Sequence, residues 1–142
     1  MRTKSVLTAA AVAVLASLAS APASVAQDDD PFALSSQGDA TKGKRVYLKC
    51  RACHNVTGDK RPRTGPNLDD LFGRKAGTSE SYTRYSKALL EADFVWTEQL
   101  LDEWLQKPNT FLPGNKMQFA GLRKEQDRRD LMAYLREATV SQ

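Results

Sequence analysis

Cys50-Arg51-Ala52-Cys53-His54 contains both cysteines and the only histidine of the chain. Two thiols three residues apart, with a histidine directly after the second, form the attachment signal for c-type haem. The two sulfurs can add to the two vinyl groups of the porphyrin, and the adjacent imidazole can then bind the iron as its proximal ligand. The pentapeptide therefore predicts one covalently bound haem c, attached through Cys50 and Cys53, with His54 on the iron.

The same cysteine pair permits two other interpretations. In an oxidising compartment Cys50 and Cys53 could form a disulfide, but a thioredoxin-like redox motif needs a βαβ context. The surrounding sequence contains no convincing strand, and Lys49 and Arg51 flank the pair in a helical pattern. A zinc site would need a second pair of ligands at a usable spacing, and His54 alone does not supply one.

The first residues have the pattern of a secretory signal peptide. Arg2 and Lys4 precede an apolar run over residues 6–19, and the small residues Ser24-Val25-Ala26 form a cleavage signal. A membrane anchor fits less well, because the run is short and rich in alanine whereas a spanning helix needs about 20 apolar residues. We therefore expect residues 1–26 to be removed and the protein to be exported, periplasmic or equivalent, and soluble.

Cleavage would leave 116 of the 142 residues, enough for a single domain. Residues 27–37 are polar and predict a flexible lead-in, and residues 38–142 predict one monohaem domain, expected to be a monomer. Loss of Arg2 and Lys4 lowers the formal net charge from +4 to +2. A nearly balanced charge does not support a nucleic-acid-binding surface.

The remaining pattern predicts an all-α fold of about four to five helices with long loops wrapped around the haem. An apolar stripe at helical spacing, Leu100, Leu101, Trp104 and Leu105, marks one of these helices. Loops as long as 55–69 and 109–121 are unusual in a compact domain, but a bound haem can supply the apolar core that they surround. The expected helices are 40–53 with Asp39 as its N-cap, 85–92, one with Thr97 as its N-cap that stops at Pro108, and one that begins near Lys124 or Glu125.

The second axial position of the iron cannot be filled by histidine, because the chain has no second one. A methionine, a lysine, a small molecule or an open position remain. Met132 follows Leu131 on the apolar side of the last helix and is expected in the core. Met117 lies in a loop rich in proline and glycine, where no helix stands between the thioether and a metal. Met117 is therefore the favoured distal ligand.

From about Gly38 to Thr139 the chain resembles the class I cytochromes c, both the mitochondrial protein and its soluble bacterial relatives. The similarity consists of several short blocks in a fixed order, of which the haem motif is one. The others are Gly43-Lys44-Arg45-Val46-Tyr47, Thr64-Gly65-Pro66-Asn67-Leu68, Leu71-Phe72-Gly73-Arg74-Lys75, Trp96, Leu112-Pro113-Gly114-Asn115-Lys116-Met117, Phe119-Ala120-Gly121 and Asp130-Leu131-Met132-Ala133-Tyr134-Leu135.

The resemblance implies a role for each matching site residue. His54 and Met117 correspond to the axial ligands, and the carbonyl oxygen of Pro66 corresponds to the acceptor that fixes the orientation of the imidazole. A buried propionate needs polar partners. The residues whose counterparts hold the inner haem propionate are Arg74, Tyr85 and Trp96.

Four positions depart from the mitochondrial pattern. Trp104 stands where that protein has a tyrosine near the axial methionine, and Leu89 stands where an asparagine contributes to a polar water site. Both changes are expected to make the distal side less polar or to rearrange its hydrogen bonds. Asn109 and Thr110 replace two lysines of the docking face, which is expected to weaken binding to acidic partners.

The resemblance implies a carrier of single electrons rather than an enzyme. The expected partners are membrane redox complexes of a respiratory or photosynthetic chain, or exported dehydrogenases and reductases. They would dock transiently at a surface marked by Lys49, Lys107, Lys116 and Lys124. A haem peroxidase and a gas-binding sensor are the alternatives, and both would require that Met117 is not bound to the iron.

Overall fold

The computed structural model describes residues 33–56, 61 and 63–140. Within these ranges the only β-type pairing is an isolated bridge between Lys75 and Val95, so the prediction of an all-α fold is confirmed. No helix among these residues is long and apolar enough to cross a membrane. The α-helices are α1 (Ala40–Tyr47), α2 (Lys87–Leu90), α3 (Glu98–Gln106), α4 (Pro108–Phe111) and α5 (Glu125–Val140), preceded by a 3₁₀ helix, Ser35–Gln37.

The first helix begins where predicted but is shorter. Asp39 caps α1, since its side chain accepts a hydrogen bond from the backbone N–H of Lys42. The helix ends at Tyr47, and the predicted extension to Cys53 is wrong. Residues 48–54 form tight turns in which several backbone N–H groups bond three residues back rather than four, as Cys50 N does to Tyr47 O at 2.8 Å. This tighter winding separates the haem motif from the regular helix of α1.

The helices in the second half of the chain also differ in length from the prediction. Ser86 caps α2, which is a single turn inside the predicted 85–92. Thr97 caps α3 as expected. Pro108 ends α3 and also begins α4 within the segment predicted as loop. Proline suits the first position of a helix, because the N–H that it lacks would have no partner there.

The first and last helices pack closely against each other. A Cβ atom on Gly43 would overlap the carbonyl oxygen of Asp130 and lie 2.8 Å from Cβ of Tyr134. Only glycine therefore allows α1 to approach α5 this closely. The rings of Tyr47 and Tyr134 meet at the same contact, with centroids 5.2 Å apart. Met132 is fully buried on α5, which confirms its expected place in the core.

Part of the predicted lead-in is attached to the domain. The predicted signal peptide and residues 27–32 lie outside the described residues. Ser35 donates its backbone N–H to Oε2 of Glu98 at 2.9 Å, and Asp39 donates its own to Oδ1 of Asp130 at 2.9 Å. Within the predicted lead-in of residues 27–37, the backbone of Ser35 is thus held by a buried carboxylate, and Asp39, just after it, is held by another.

Glu98 is the centre of a buried polar network. Its carboxylate is fully buried at the start of α3 and accepts a hydrogen bond from Nε of Arg136 at 2.7 Å. The guanidinium of Arg136 also lies over the ring of Phe72, 4.0 Å from the centroid. A buried charge is tolerated only when it is paired and hydrogen-bonded. The network therefore joins the 3₁₀ helix, α3 and α5 through one carboxylate.

We expect Glu98→Ala to lower the free energy of unfolding by about 3–5 kcal/mol, because it leaves the Arg136 guanidinium and the Ser35 N–H without this partner. Denaturant unfolding of the haem-loaded protein measures the change. Glu91→Ala is the control, since Glu91 forms an exposed pair with Lys87 at 3.5 Å and its loss should cost less than about 1 kcal/mol. Equal losses for the two variants would contradict the importance of the buried network.

Candidate haem site

One cavity of about 570 Å³ lies among the loops and helices. Its volume falls within the range of about 300–1,000 Å³ found for small-molecule and cofactor sites. Leucine and aromatic side chains supply much of its wall, including Leu68, Leu71, Leu101 and Leu135. All of the predicted site residues line it: Cys50, Cys53, His54, Pro66, Arg74, Tyr85, Trp96 and Met117.

The imidazole of His54 is held in one orientation. Its Nδ1 lies 2.7 Å from the carbonyl oxygen of Pro66. A carbonyl can only accept, so Nδ1 carries the proton. Burial lowers the pKa of His54, and the bond to Pro66 only partly opposes that shift. The ring is therefore neutral at pH 7, and Nε2 keeps the lone pair that a metal ion requires.

The backbone around His54 is also fixed on both sides. Tyr47 donates its hydroxyl to the carbonyl oxygen of His54 at 2.7 Å. Burial raises the pKa of Tyr47 to about 12, so the phenol keeps the proton that it donates. A Cβ atom on Gly65 would lie 2.8 Å from both ring nitrogens of His54 and overlap Cε1. The histidine therefore fits only because residue 65 has no side chain.

Cys50 and Cys53 also line the same cavity. Cys50 is partly buried and Cys53 is exposed. Burial raises the pKa of Cys50 to about 11, so this thiol stays protonated. Placed at the cavity wall beside His54, the pair has the position needed for thioether bonds to a planar group inside the cavity.

Hydrogen-bond donors gather at another part of the wall. Arg74 donates to the carbonyl oxygen of Asn67 at 3.0 Å and is ion-paired with Asp70. Burial lowers the pKa of Arg74. A backbone hydrogen bond from Trp96 N to Arg74 O at 2.9 Å keeps these two residues adjacent, and Trp96 is buried. Arg74, Tyr85 and Trp96 all line the cavity and carry N–H or O–H groups, which a carboxylate can accept from.

Met117 also lines the cavity, and its side chain is about half-buried. Its backbone N–H donates to Oδ1 of Asn115 at 3.0 Å. Met132, by contrast, is enclosed in the core and is not among the lining residues. The structure thus brings one thioether, one imidazole and two thiols to a single cavity, and this donor set fits the iron and the vinyl groups of a haem.

Both residues that depart from the mitochondrial pattern on this side, Trp104 and Leu89, line the cavity. The indole of Trp104 packs edge-to-face on Trp96, with centroids 5.6 Å apart, and on Phe111 at 5.9 Å. Edge-to-face contacts of this kind stabilise aromatic clusters beyond simple burial. Trp104 therefore stabilises the aromatic part of the cavity wall.

The four predicted docking lysines differ in their relation to the haem cavity. Lys49 and Lys116 are exposed at the rim of the haem cavity. Lys107 lines a separate depression of about 460 Å³ together with Arg123 and Glu125. Lys124, also exposed, adjoins that depression in sequence. Two of the four predicted positions therefore lie at the cavity itself.

Two contributors to the site were missed by sequence reasoning. Tyr47 was predicted only as part of the first helix and of a family block, because its bond to the His54 carbonyl depends on the turn geometry of residues 48–54. Asn115 was read only as part of a loop. The Pro-Gly-Asn sequence that contains it is typical of a turn, and asparagine in turns commonly bonds to nearby backbone groups. This pattern could have predicted a local hydrogen-bonding role for the Asn115 side chain.

Comparison with known proteins is consistent with this geometry. The sequence model of the family described as "Cytochrome c" matches residues 40–139. Cytochrome c of Chlamydomonas reinhardtii is 45% identical over 110 residues, covering 77% of this chain and 97% of that protein. Cytochrome c of Sesamum indicum is 43% identical over 104 residues, covering 72% of this chain and 93% of that protein.

A solved structure shows the same fold. Cytochrome cH from Methylobacterium extorquens aligns with a TM-score of 0.65 and 35% identity, covering 70% of this chain and 99% of that one. Cytochromes c bind haem covalently through a cysteine pair and carry electrons rather than catalyse a reaction. On the family match, the sequence identity and the fold together, this chain belongs to the cytochrome c family, and Cys50 and Cys53 are its haem-attachment residues.

Proposed function

We propose that this chain is an exported monohaem cytochrome c with His54 and Met117 as axial ligands, carrying single electrons between redox complexes of a respiratory or photosynthetic chain. The observation that carries the proposal is the convergence of the only histidine, both cysteines and the loop thioether of Met117 on one cavity. Each of these side chains supplies a donor that a covalently bound haem uses.

The haem supplies a one-electron couple between Fe(II) and Fe(III) when it is bound. His54 contributes a neutral nitrogen donor whose orientation is set by the bond to Pro66. Met117 contributes a soft sulfur donor, which favours the reduced iron and raises the potential. If His54 and Met117 both bound the iron, no coordination position would be left for a substrate, and this favours electron carriage over peroxidase or gas-sensing chemistry.

The wall of the cavity supports the same function. Leu71, Leu101 and Leu135 are buried there, each at most 5% exposed. An apolar surround disfavours the additional charge of the oxidised iron. Arg74, Tyr85 and Trp96 are proposed to hold the inner propionate, which offsets the cost of burying its charge.

The proposed partners and location follow from the chain outside the haem site. Residues 1–26 have the signal-peptide pattern and precede the family match, which begins at residue 40. Exposed Lys49 and Lys116 at the cavity rim would attract an acidic redox partner, so docking is proposed to be transient and sensitive to salt. The protein would act as a monomer in the exported compartment.

We expect Met117→Ala to remove the far-red charge-transfer band that ferric haem shows when thioether sulfur is bound. The reduced variant should bind carbon monoxide, and its potential should fall because the soft ligand is gone. Met132→Ala is the matched control, since its loss from the core should cost about 2–5 kcal/mol and leave the band intact. Absence of the band from the unmodified protein, or its persistence in Met117→Ala, would disprove the distal assignment.

We expect Gly65→Ala to displace the His54 imidazole, because the added Cβ would lie 2.8 Å from its two nitrogens. The yield of haem-loaded protein should fall, and the remaining fraction should have an altered haem spectrum. Gly43→Ala is the control. It adds the same Cβ atom at the contact between α1 and α5, and Gly43 does not line the cavity. It should lower stability without changing the spectrum of the protein that does fold. Identical spectra for the two variants would count against the fit of His54 described above.

We expect Lys49→Glu to slow reduction or oxidation by an acidic redox partner, and to weaken the dependence of that rate on ionic strength. Lys44→Glu makes the same charge change at an exposed position of α1 that does not line the cavity, and it should have a smaller effect. Stopped-flow kinetics with a membrane oxidase at several salt concentrations compares them. If both variants slow the reaction equally, the cavity rim is not the docking site.

A further inference from the structure

Asn115 is hydrogen-bonded through both ends of its side-chain amide. Its Nδ2 lies 3.1 Å from the carbonyl oxygen of Pro108, 2.9 Å from that of Leu112 and 3.0 Å from Oδ1 of Asn109. Its Oδ1 accepts the backbone N–H of Met117 at 3.0 Å. Every partner lies within the ten residues from Pro108 to Met117. One side chain therefore ties the start and end of α4 to the residue proposed to bind the iron.

The surroundings allow only one orientation of this amide. Three oxygen atoms surround Nδ2, and one N–H points at Oδ1. Exchanging the nitrogen and the oxygen would place oxygen against three acceptors and nitrogen against a donor. The side chain is therefore locked in place, and it holds the Met117 backbone at a defined distance from α4.

The element to which Asn115 is attached is itself anchored. Pro108, the first residue of α4, is fully buried, and Phe111, its last, packs edge-to-face on Phe94 and on Trp104. Met117 itself is partly buried against the core, whereas Lys116 and Gln118 on either side of it are exposed. The hydrogen bond from its backbone N–H to Asn115 therefore adds a direct link between this residue and α4.

We propose that Asn115 is a positioning residue for Met117, and that the amide clasp formed by Asn115 with Asn109 and α4 controls how readily the thioether leaves the iron. This inference rests on Met117 being the distal ligand, as proposed above. It assigns to Asn109 a part in the clasp as an acceptor. The clasp acts on the rate of ligand release rather than on the identity of the ligand.

The rate of imidazole binding to the ferric, haem-loaded protein at pH 7 tests the clasp, because imidazole can bind only after the thioether has left. For Asn115→Ala we expect the rate to rise about tenfold, which corresponds to about 1.4 kcal/mol and to the loss of one or two hydrogen bonds. The far-red band should remain when imidazole is absent. Asn109→Ala removes one acceptor only and should raise the rate less.

Two further variants separate the clasp from a merely structural role. In Asn115→Asp the acceptor for the Met117 N–H is kept, but a carboxylate oxygen faces three acceptors, so imidazole should bind at least as fast as in Asn115→Ala. Asn115→Ser keeps a short group that can both accept and donate, and it should restore part of the slow binding. In the double variant of Asn109→Ala and Asn115→Ala the rate should equal that of Asn115→Ala alone, because the two residues act through one contact.

The controls are Thr110→Ala and Thr97→Ala. Thr110 is exposed on α4 next to Asn109, lies outside the clasp and does not line the cavity, so its loss should not change the imidazole rate. Thr97→Ala removes the cap of α3 and should lower the melting temperature without changing the rate. An Asn115→Ala rate equal to that of Thr110→Ala, in protein with the band intact, would overturn the clasp and leave Met117 as ligand. A wild-type spectrum without the band would overturn both.

Discussion

The hydrogen bond between Nδ1 of His54 and the carbonyl oxygen of Pro66 is the constraint on which the rest of the site depends. It commits one nitrogen of the only imidazole to the protein, so the other is available to a metal. Gly65 must then lack a side chain, and Tyr47 must hold the histidine backbone from the other direction. The turns after α1 bring both cysteines to the same wall.

Much of the site could be predicted from the sequence because its chemistry is local. The cysteines and His54 lie within five residues, and Met117 was singled out because Met132 belongs to a helix face. The caps Asp39 and Thr97 were predicted for the same reason, since each bonds three residues ahead. The end of α1 and the presence of α4 were not predicted correctly. In both places the residue pattern is compatible with helix or loop, and a few backbone hydrogen bonds decide between the two.

Contacts between distant parts of the chain could not be predicted from the sequence. Glu98 looked like a polar residue in the first turn of a helix, yet it is fully buried. Its partners, Ser35 and Arg136, are 63 and 38 residues away, and no periodicity relates such positions. For Asn115, prediction from the sequence fails even at short range. Its four hydrogen bonds join residues that are close in sequence, but they depend on the exact path of one loop.

The packing of α1 on α5 has a consequence for the order of assembly. These helices come from opposite ends of the domain's sequence. Their contact therefore closes a loop that contains nearly the whole domain, at a large cost in chain entropy. The Ser35–Glu98–Arg136 network spans a similar interval and also includes a residue of α5. The turns of residues 48–54, by contrast, need only contacts between near neighbours. We therefore expect the haem motif to adopt its turns before α1 and α5 meet.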